Sequence, residues 1–246
     1  MRFGKWMITA ALTCSLGLVL MGCEKEDYTQ ADGGLAPVTP ASDVVQAPAA
    51  NAETATNGAT DAAAAAEGAV TNAAPAFSLP GIDGQTYSLA DYKGKWVILE
   101  WTNPDCPFVM KHYDSGNMQS LQAKYGGRDD VMWMSVGSSS PGEQGHFSAD
   151  GWKDVMNKKA SKAEAMLMDP SGDVGRLYDA KTTPHMYVIN PEGQLVYQGA
   201  IDSIKSARQS DIEKSENYVT TVMDAVLAGE PSPVSQTTAY GCSVKY

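Results

Sequence analysis

Cys106 has the most chemically useful setting in the chain. It stands in Trp101-Thr102-Asn103-Pro104-Asp105-Cys106-Pro107-Phe108-Val109, after an apolar run from Trp96 to Trp101 and before a stretch of helical character. A cysteine where a strand hands over to a helix meets unpaired backbone N–H groups and the positive end of the helix dipole, and both stabilise its thiolate. The thiolate is the nucleophilic form of this side chain. Pro107 suits the first helical position, where no N–H is needed and φ is preset. Lys111, further along the same helix, is a candidate to lower the thiol pKa, while Asp105 opposes ionisation through like charge.

The other cysteines bear on where this chemistry happens. The chain has 246 residues and four cysteines, at positions 14, 23, 106 and 242. Arg2 and Lys5 precede an apolar run from Met7 to Met21 that is shorter than the roughly 20 residues of a membrane span, which predicts an export signal over residues 1–22. Leu20-Met21-Gly22-Cys23 resembles the lipobox of bacterial lipoproteins, in which cleavage precedes the cysteine and the cysteine takes the lipid. The resemblance implies lipidation at Cys23, anchorage to a membrane at its periplasmic face and, from Glu24, sorting to an outer membrane. Cys14 then leaves with the signal and Cys23 becomes a thioether, so Cys106 and Cys242 remain as thiols in an oxidising compartment. A bridge between them would close a long loop, worth about 5 kcal/mol in chain-entropy terms.

Composition limits the partners and marks the boundaries. A formal charge of −11, made more negative when Arg2 and Lys5 leave, repels polyanions and provides no basic stripe for phosphates, so nucleic acid is excluded as a partner. Residues 23–75, beginning at the lipidated Cys23, are rich in Ala, Thr, Asn, Asp, Gly and Pro and poor in large apolar side chains, the composition of a disordered linker. As a flexible coil such a linker reaches about 40 Å. Residues 76–229 hold nearly all the aromatic side chains and are long enough for one core. Residues 230–246 form a tail that carries Cys242.

Local patterns predict the elements of that core. Phe77–Leu79 and Gln85–Leu89 flank Pro80–Gly84 as a small hairpin, and Trp96–Trp101 reads as a buried strand. One helix is expected from Pro107 to Tyr125, closed by Gly126-Gly127. Val131–Val136 is the next strand, followed by a loop, a helix near Gly151–Lys159, a short strand Ala165–Met168 and a brief helix Asp173–Tyr178. His185–Ile189 and Gln194–Gly199 form a hairpin about Asn190–Gly193. Ser215 is placed to cap a last helix that ends at Leu227. Alternating strands and helices with a terminal hairpin and helix indicate an α/β domain with a mixed sheet.

An apolar strand ending in Trp, a Cys-Pro opening the next helix, and Thr183-Pro184 before a hairpin resemble the thioredoxin-like superfamily, in particular its peroxiredoxin-like and redoxin branch. Asn103–Lys111 and the ending Tyr240-Gly241-Cys242-Ser243-Val244-Lys245-Tyr246 are similar to a subgroup of peroxiredoxin-like proteins. The resemblance implies a thioredoxin-like fold with a mixed central sheet flanked by helices. It further implies a cis Pro184 beside an accessible Cys106, and a Thr183 backbone free to pair with an extended partner chain. Cys106 is then the attacking thiol, acting on a peroxide or on a protein or small-molecule disulfide. Cys242 is its candidate resolving thiol, a thiol reductant restores both, and no cofactor takes part. Val109 stands where disulfide-exchanging relatives have a second cysteine. Asn103 and Leu99 replace the Thr and Pro that peroxiredoxins place before the reactive cysteine, with Thr102 one position away, and Arg176 and Lys111 are the candidates for their arginine. These departures leave open a thiol-disulfide exchange protein and a non-catalytic binding or scaffold lipoprotein. His112 and His185 with Cys106 have no compelling ligand spacing, and no metal site is assigned.

Overall fold

The computed structural model describes residues 72–246. The predicted signal, the Cys23 lipidation site and the linker through residue 71 lie outside the described residues. The folded unit includes the last linker residues: Leu195 donates its backbone N–H to Asn72 O at 2.7 Å, and Ala74 donates to Gly193 O at 2.9 Å.

Ser78–Pro80 (β1) and Thr86–Ser88 (β2) make the expected antiparallel hairpin. Trp96–Trp101 (β3) is the middle of the main sheet and shows why an apolar run of this length becomes a central strand. Val97, Leu99 and Trp101 point into one cluster of buried side chains, while Ile98 points into another on the opposite face. Val131–Gly137 (β4) runs parallel to β3, and Ala165–Met168 (β5) runs parallel to β4. Thr182–Thr183 (β6) lies outside this sheet. His185–Ile189 (β7) joins β3 antiparallel and Leu195–Gly199 (β8) pairs with β7, giving the order β5-β4-β3-β7-β8. This is a mixed five-stranded sheet flanked by helices, the thioredoxin-like α/β architecture.

The helices depart from expectation in detail. The single helix expected over Pro107–Tyr125 is two helices and a wider turn: Pro107–Asp114 (α1), Asn117–Leu121 (α2) and a π turn at Gln122–Gly126. Gly116 divides them by taking a left-handed φ of 78°, which glycine adopts without a Cβ penalty. Ala149–Lys158 (α3) begins at a Ser148 cap whose side chain accepts from Gly151 N–H. Asp173–Leu177 (α4) is brief. Tyr218–Leu227 (α5) is capped by Asn217, whose Oδ1 accepts from Thr220 N–H at 2.9 Å. Ser215 does not cap it, because its hydroxyl turns back to Ile212 O at 2.8 Å and toward Asp202.

The tail after α5 returns across the molecule. Gln236 bridges to Gln198 of β8, and Cys242–Ser243 (β9) pairs antiparallel with β6, Cys242 opposite Thr183 and Ser243 opposite Thr182. Among the described residues, no helix is long and apolar enough to cross a membrane.

Candidate functional site

Cys106 caps α1 in an extended conformation, φ −80° and ψ 122°, with Pro107 at the first helical position. Its carbonyl accepts from Val109 N–H at 2.9 Å and Met110 N–H at 2.8 Å, and its own N–H donates to Asn103 O at 3.1 Å. Asn103 in turn holds the loop: Oδ1 accepts from Asp105 N–H at 3.0 Å, and Nδ2 donates to Gln144 O at 3.1 Å. Backbone bonds therefore set the sulfur's position from both sides.

The Thr183–Pro184 peptide is cis and faces the sulfur. In its thiol form Cys106 Sγ donates to Thr183 O at 3.1 Å, and Cys242 N–H donates to that sulfur at 3.4 Å. Both cysteines are free thiols. Residues 136 positions apart thus meet at one atom. The expected accessible sulfur is not found, since Cys106 is 0% exposed. Nor is the Thr183 backbone free, because β9 occupies the edge of β6 where an extended partner was anticipated. Strand pairing by the chain's own tail satisfies the same backbone groups that a partner would use.

The two thiols are electrostatically unequal. Burial has the largest influence on Cys106 and pushes its pKa up. Hydrogen bonding from Cys242, whose backbone N–H reaches the sulfur at 3.4 Å, leads the influences that outweigh it and hold the thiol below the ordinary cysteine value. Cys242 goes the other way, pushed up to about 11 by burial first, then by its hydrogen bond to Cys106 and the charge there. Cys106 is therefore the more readily ionised thiol of the pair, and Cys242 the one that keeps its proton.

The supporting residues fall into three groups. Pro107, Thr183 and Pro184 are at the sulfur. Thr102 is buried beside the loop with its N–H on Val136 O at 2.9 Å, and no hydrogen bond joins it to Cys106. Lys111 turns away from the sulfur. It is buried, and its Nζ donates to Asp202 Oδ2 at 2.7 Å, to Ile204 O at 3.3 Å and to Tyr240 Oη at 3.5 Å. Arg176 is likewise remote from Cys106, lying 4.6 Å from the Tyr246 ring centroid and donating to Ser171 O at 2.7 Å. The histidines have other partners as well: His112 Nδ1 meets Asn117 Nδ2 at 2.8 Å and His185 Nδ1 meets Tyr187 Oη at 3.0 Å. Burial lowers both to about 4, so both are neutral near pH 7. No group of three or more His, Cys, Asp or Glu among the described residues could hold a metal ion.

Three buried residues have roles in the structure that the sequence reading does not assign. Asp202 is buried and receives Lys111, Ile204 N–H at 3.1 Å and the hydroxyl of Tyr240. Tyr240 is buried edge-on to Phe108, centroids 5.8 Å apart. Glu100 is the third, a buried carboxylate in β3 with no cation against it. It accepts from Tyr113 Oη at 2.8 Å, Gln122 Nε2 at 3.2 Å, Trp133 Nε1 at 3.0 Å and Ser135 Oγ at 3.1 Å. Burial raises its pKa against the pull of these four donors. A lone charge inside Trp96–Trp101 was the legible signal for Glu100. Nothing in the sequence distinguishes Asp202 from the other aspartates.

A family model described as the AhpC/TSA family matches residues 70–198, a span that includes Cys106 and ends before Cys242. Among solved structures, an uncharacterized conserved protein from Geobacillus kaustophilus is similar at 25% identity and a TM-score of 0.62, with 72% of this chain and 91% of that one covered. A hypothetical protein from Sinorhizobium meliloti 1021 shares the fold at 21% identity and a TM-score of 0.59, covering 72% and 93%. No curated protein matches the chain.

Proposed function

From the premise that the chain belongs to the AhpC/TSA family and is a thioredoxin-like thiol-redox protein, we propose that it is a peroxide-reducing enzyme using Cys106 to attack and Cys242 to resolve. The observation that carries this reading is the Cys242 backbone N–H on Cys106 Sγ at 3.4 Å. It works at the periplasmic face of a membrane, the outer one favoured, held by lipid on Cys23.

The reaction follows from the unequal thiols. The Cys106 thiolate attacks one peroxide oxygen, the O–O bond breaks, and the departing alkoxide or hydroxide takes a proton. Sulfur, oxidised by two electrons, is left as a sulfenic acid. That step removes the negative charge that helps hold Cys242 near 11. Cys242 then ionises more readily and attacks the Cys106 sulfur, and the sulfenic hydroxyl leaves as water with the proton Cys242 gave up. A thiol reductant of unidentified nature reduces the resulting disulfide through a mixed disulfide.

Direct exchange with a disulfide is the second reading. It is favoured by the β6 edge beside Pro184, which already receives an extended cysteine strand in the form of β9. One experiment separates the two. The reduced protein is treated with stoichiometric hydrogen peroxide in the presence of a sulfenic-acid trap, in wild type and Cys242→Ser. Trapping at Cys106 in the serine variant, with a Cys106–Cys242 disulfide found by peptide mapping in wild type, is the expected result. Absence of both, together with rapid mixed-disulfide formation on Cys106, would transfer the assignment to exchange.

A further inference from the structure

The sulfur of Cys106 is covered by a chain terminus, and the terminus is held by a small number of definite contacts. Thr237 Oγ1 accepts from Ala200 N–H at 2.9 Å, and Tyr246 Oη donates to Ala180 O at 2.6 Å. Between these ends, Tyr240 is the deepest side chain of the tail, buried against Phe108 with its hydroxyl on Asp202 Oδ1. Open space flanks the stretch before it. Clefts of about 460 and 290 Å³ share Thr237, Thr238 and Ala239 as lining, one on the side of Lys181 and His185, the other on the side of Lys205 and Tyr218.

Tyr240 alone in the tail reaches a buried ion pair. Asp202 and Lys111 have side chains 1% and 0% exposed, and such a pair is stable only when its remaining lone pairs and protons are filled. The Tyr240 hydroxyl donates to Oδ1 beside the Ile204 N–H, Ser215 Oγ donates to Oδ2 at 3.3 Å, and Ile204 O takes another Lys111 proton. Lys111 is on α1, the helix Cys106 caps, so the contact ties the tail to the element that carries the sulfur. Gly241 completes the fit. Its φ is 143°, and a Cβ there would lie 1.9 Å from Thr183 O, so only glycine lets the backbone lie flat against the Pro184 loop.

We infer that Tyr240, seated on the Asp202–Lys111 pair, is the latch of a C-terminal strap that closes over Cys106, a positioning device that both shuts the thiol from solvent and keeps Cys242 against it. Any reagent reaches Cys106 through opening of residues 240–246, so the capture rate follows the open fraction. The latch stands whether or not the sulfur reduces peroxide.

The test measures carbamidomethylation of Cys106 by iodoacetamide in the reduced full-length protein, read by mass spectrometry of the Cys106 peptide. Each variant is assayed above its own alkylation midpoint, so that thiolate fraction does not enter. Tyr240→Phe keeps the ring and loses the hydroxyl; Gly241→Ala leaves the latch residues intact and clashes with Thr183; a stop after Ala239 removes the cover. Tyr240→Phe is expected to speed alkylation by about tenfold or more, the change in open fraction when one hydrogen bond to a charged group is lost, Gly241→Ala to speed it through the clash with Thr183, and the truncation to speed it by at least as much as Tyr240→Phe. A truncated protein labelled at the wild-type rate would overturn the strap. Fast labelling of the truncation with an unchanged Tyr240→Phe would overturn the latch. A strap that behaves as expected in a protein that forms no sulfenic acid would leave this inference standing and remove the peroxidase reading.

Discussion

At the scale of single residues, the site is a pair of thiols of unequal acidity. Cys106 is held below its ordinary value although burial opposes that, and hydrogen bonding from the Cys242 side chain leads the influences that outweigh burial. Replacing Cys242 by alanine removes that donor while the backbone N–H at 3.4 Å remains. The midpoint of the Cys106 alkylation profile against pH is therefore expected to move up in Cys242→Ala, and to return part of the way in Cys242→Ser, whose hydroxyl also donates. A profile unmoved by alanine would show that Cys242 does not stabilise the thiolate. The linkage sign agrees. A thiol depressed in the folded state adds stability above about pH 8.5, the ordinary cysteine value, and that gain is lost as pH falls through the depressed value.

Elements set these residues in place, and the buried Lys111–Asp202 pair is the pin between α1 and the turn that follows β8. Lys111→Met leaves a carboxylate buried without its cation, which costs about 3–5 kcal/mol, whereas neutralising both partners is far milder. Urea denaturation should show a large drop in midpoint for Lys111→Met and recovery of most of it in Lys111→Met with Asp202→Asn. Equal losses in the single and double variants would mean that packing, not charge, is what Lys111 supplies. The same elements show where sequence reasoning held. β3, β4, β5 and the β7–β8 hairpin were legible because apolar runs of four to seven residues between turn residues have few other ways to bury both faces. The helix expected after Cys106 is too long because Gly116 breaks it, and the expected last cap lies two residues early because Ser215 and Asn217 are equally good caps in isolation. Local sequence places Lys111 beside Cys106 as a candidate to lower its pKa, because the partner it actually meets, Asp202, lies 91 positions away.

For the molecule as a whole, the question is where the folded unit works. The lipobox resemblance at Leu20–Cys23 predicts that Cys23→Ser moves the protein from the membrane fraction to the soluble fraction of the cells that make it, without loss of Cys106 reactivity toward peroxide. Membrane association undiminished by that change would remove the lipid anchor from the proposal.

Sequence alone determined the strand and helix succession, the thioredoxin-like class, and the choice of Cys106 as the sulfur to watch. The succession and Cys106 rest on local patterns of polarity, turn residues and capping that the chain expresses within a few residues, and the class on the resemblance of the strand–Cys106-Pro107 and Thr183-Pro184 segments to that superfamily. Only the tertiary structure decided that the thiol is covered, that Cys242 covers it, and that Asp202, Lys111 and Tyr240 hold the cover down. Those facts depend on contacts between residues 77 to 136 positions apart. No local pattern encodes them, because a buried charge or an extended tail finds its partner only when the intervening chain has folded.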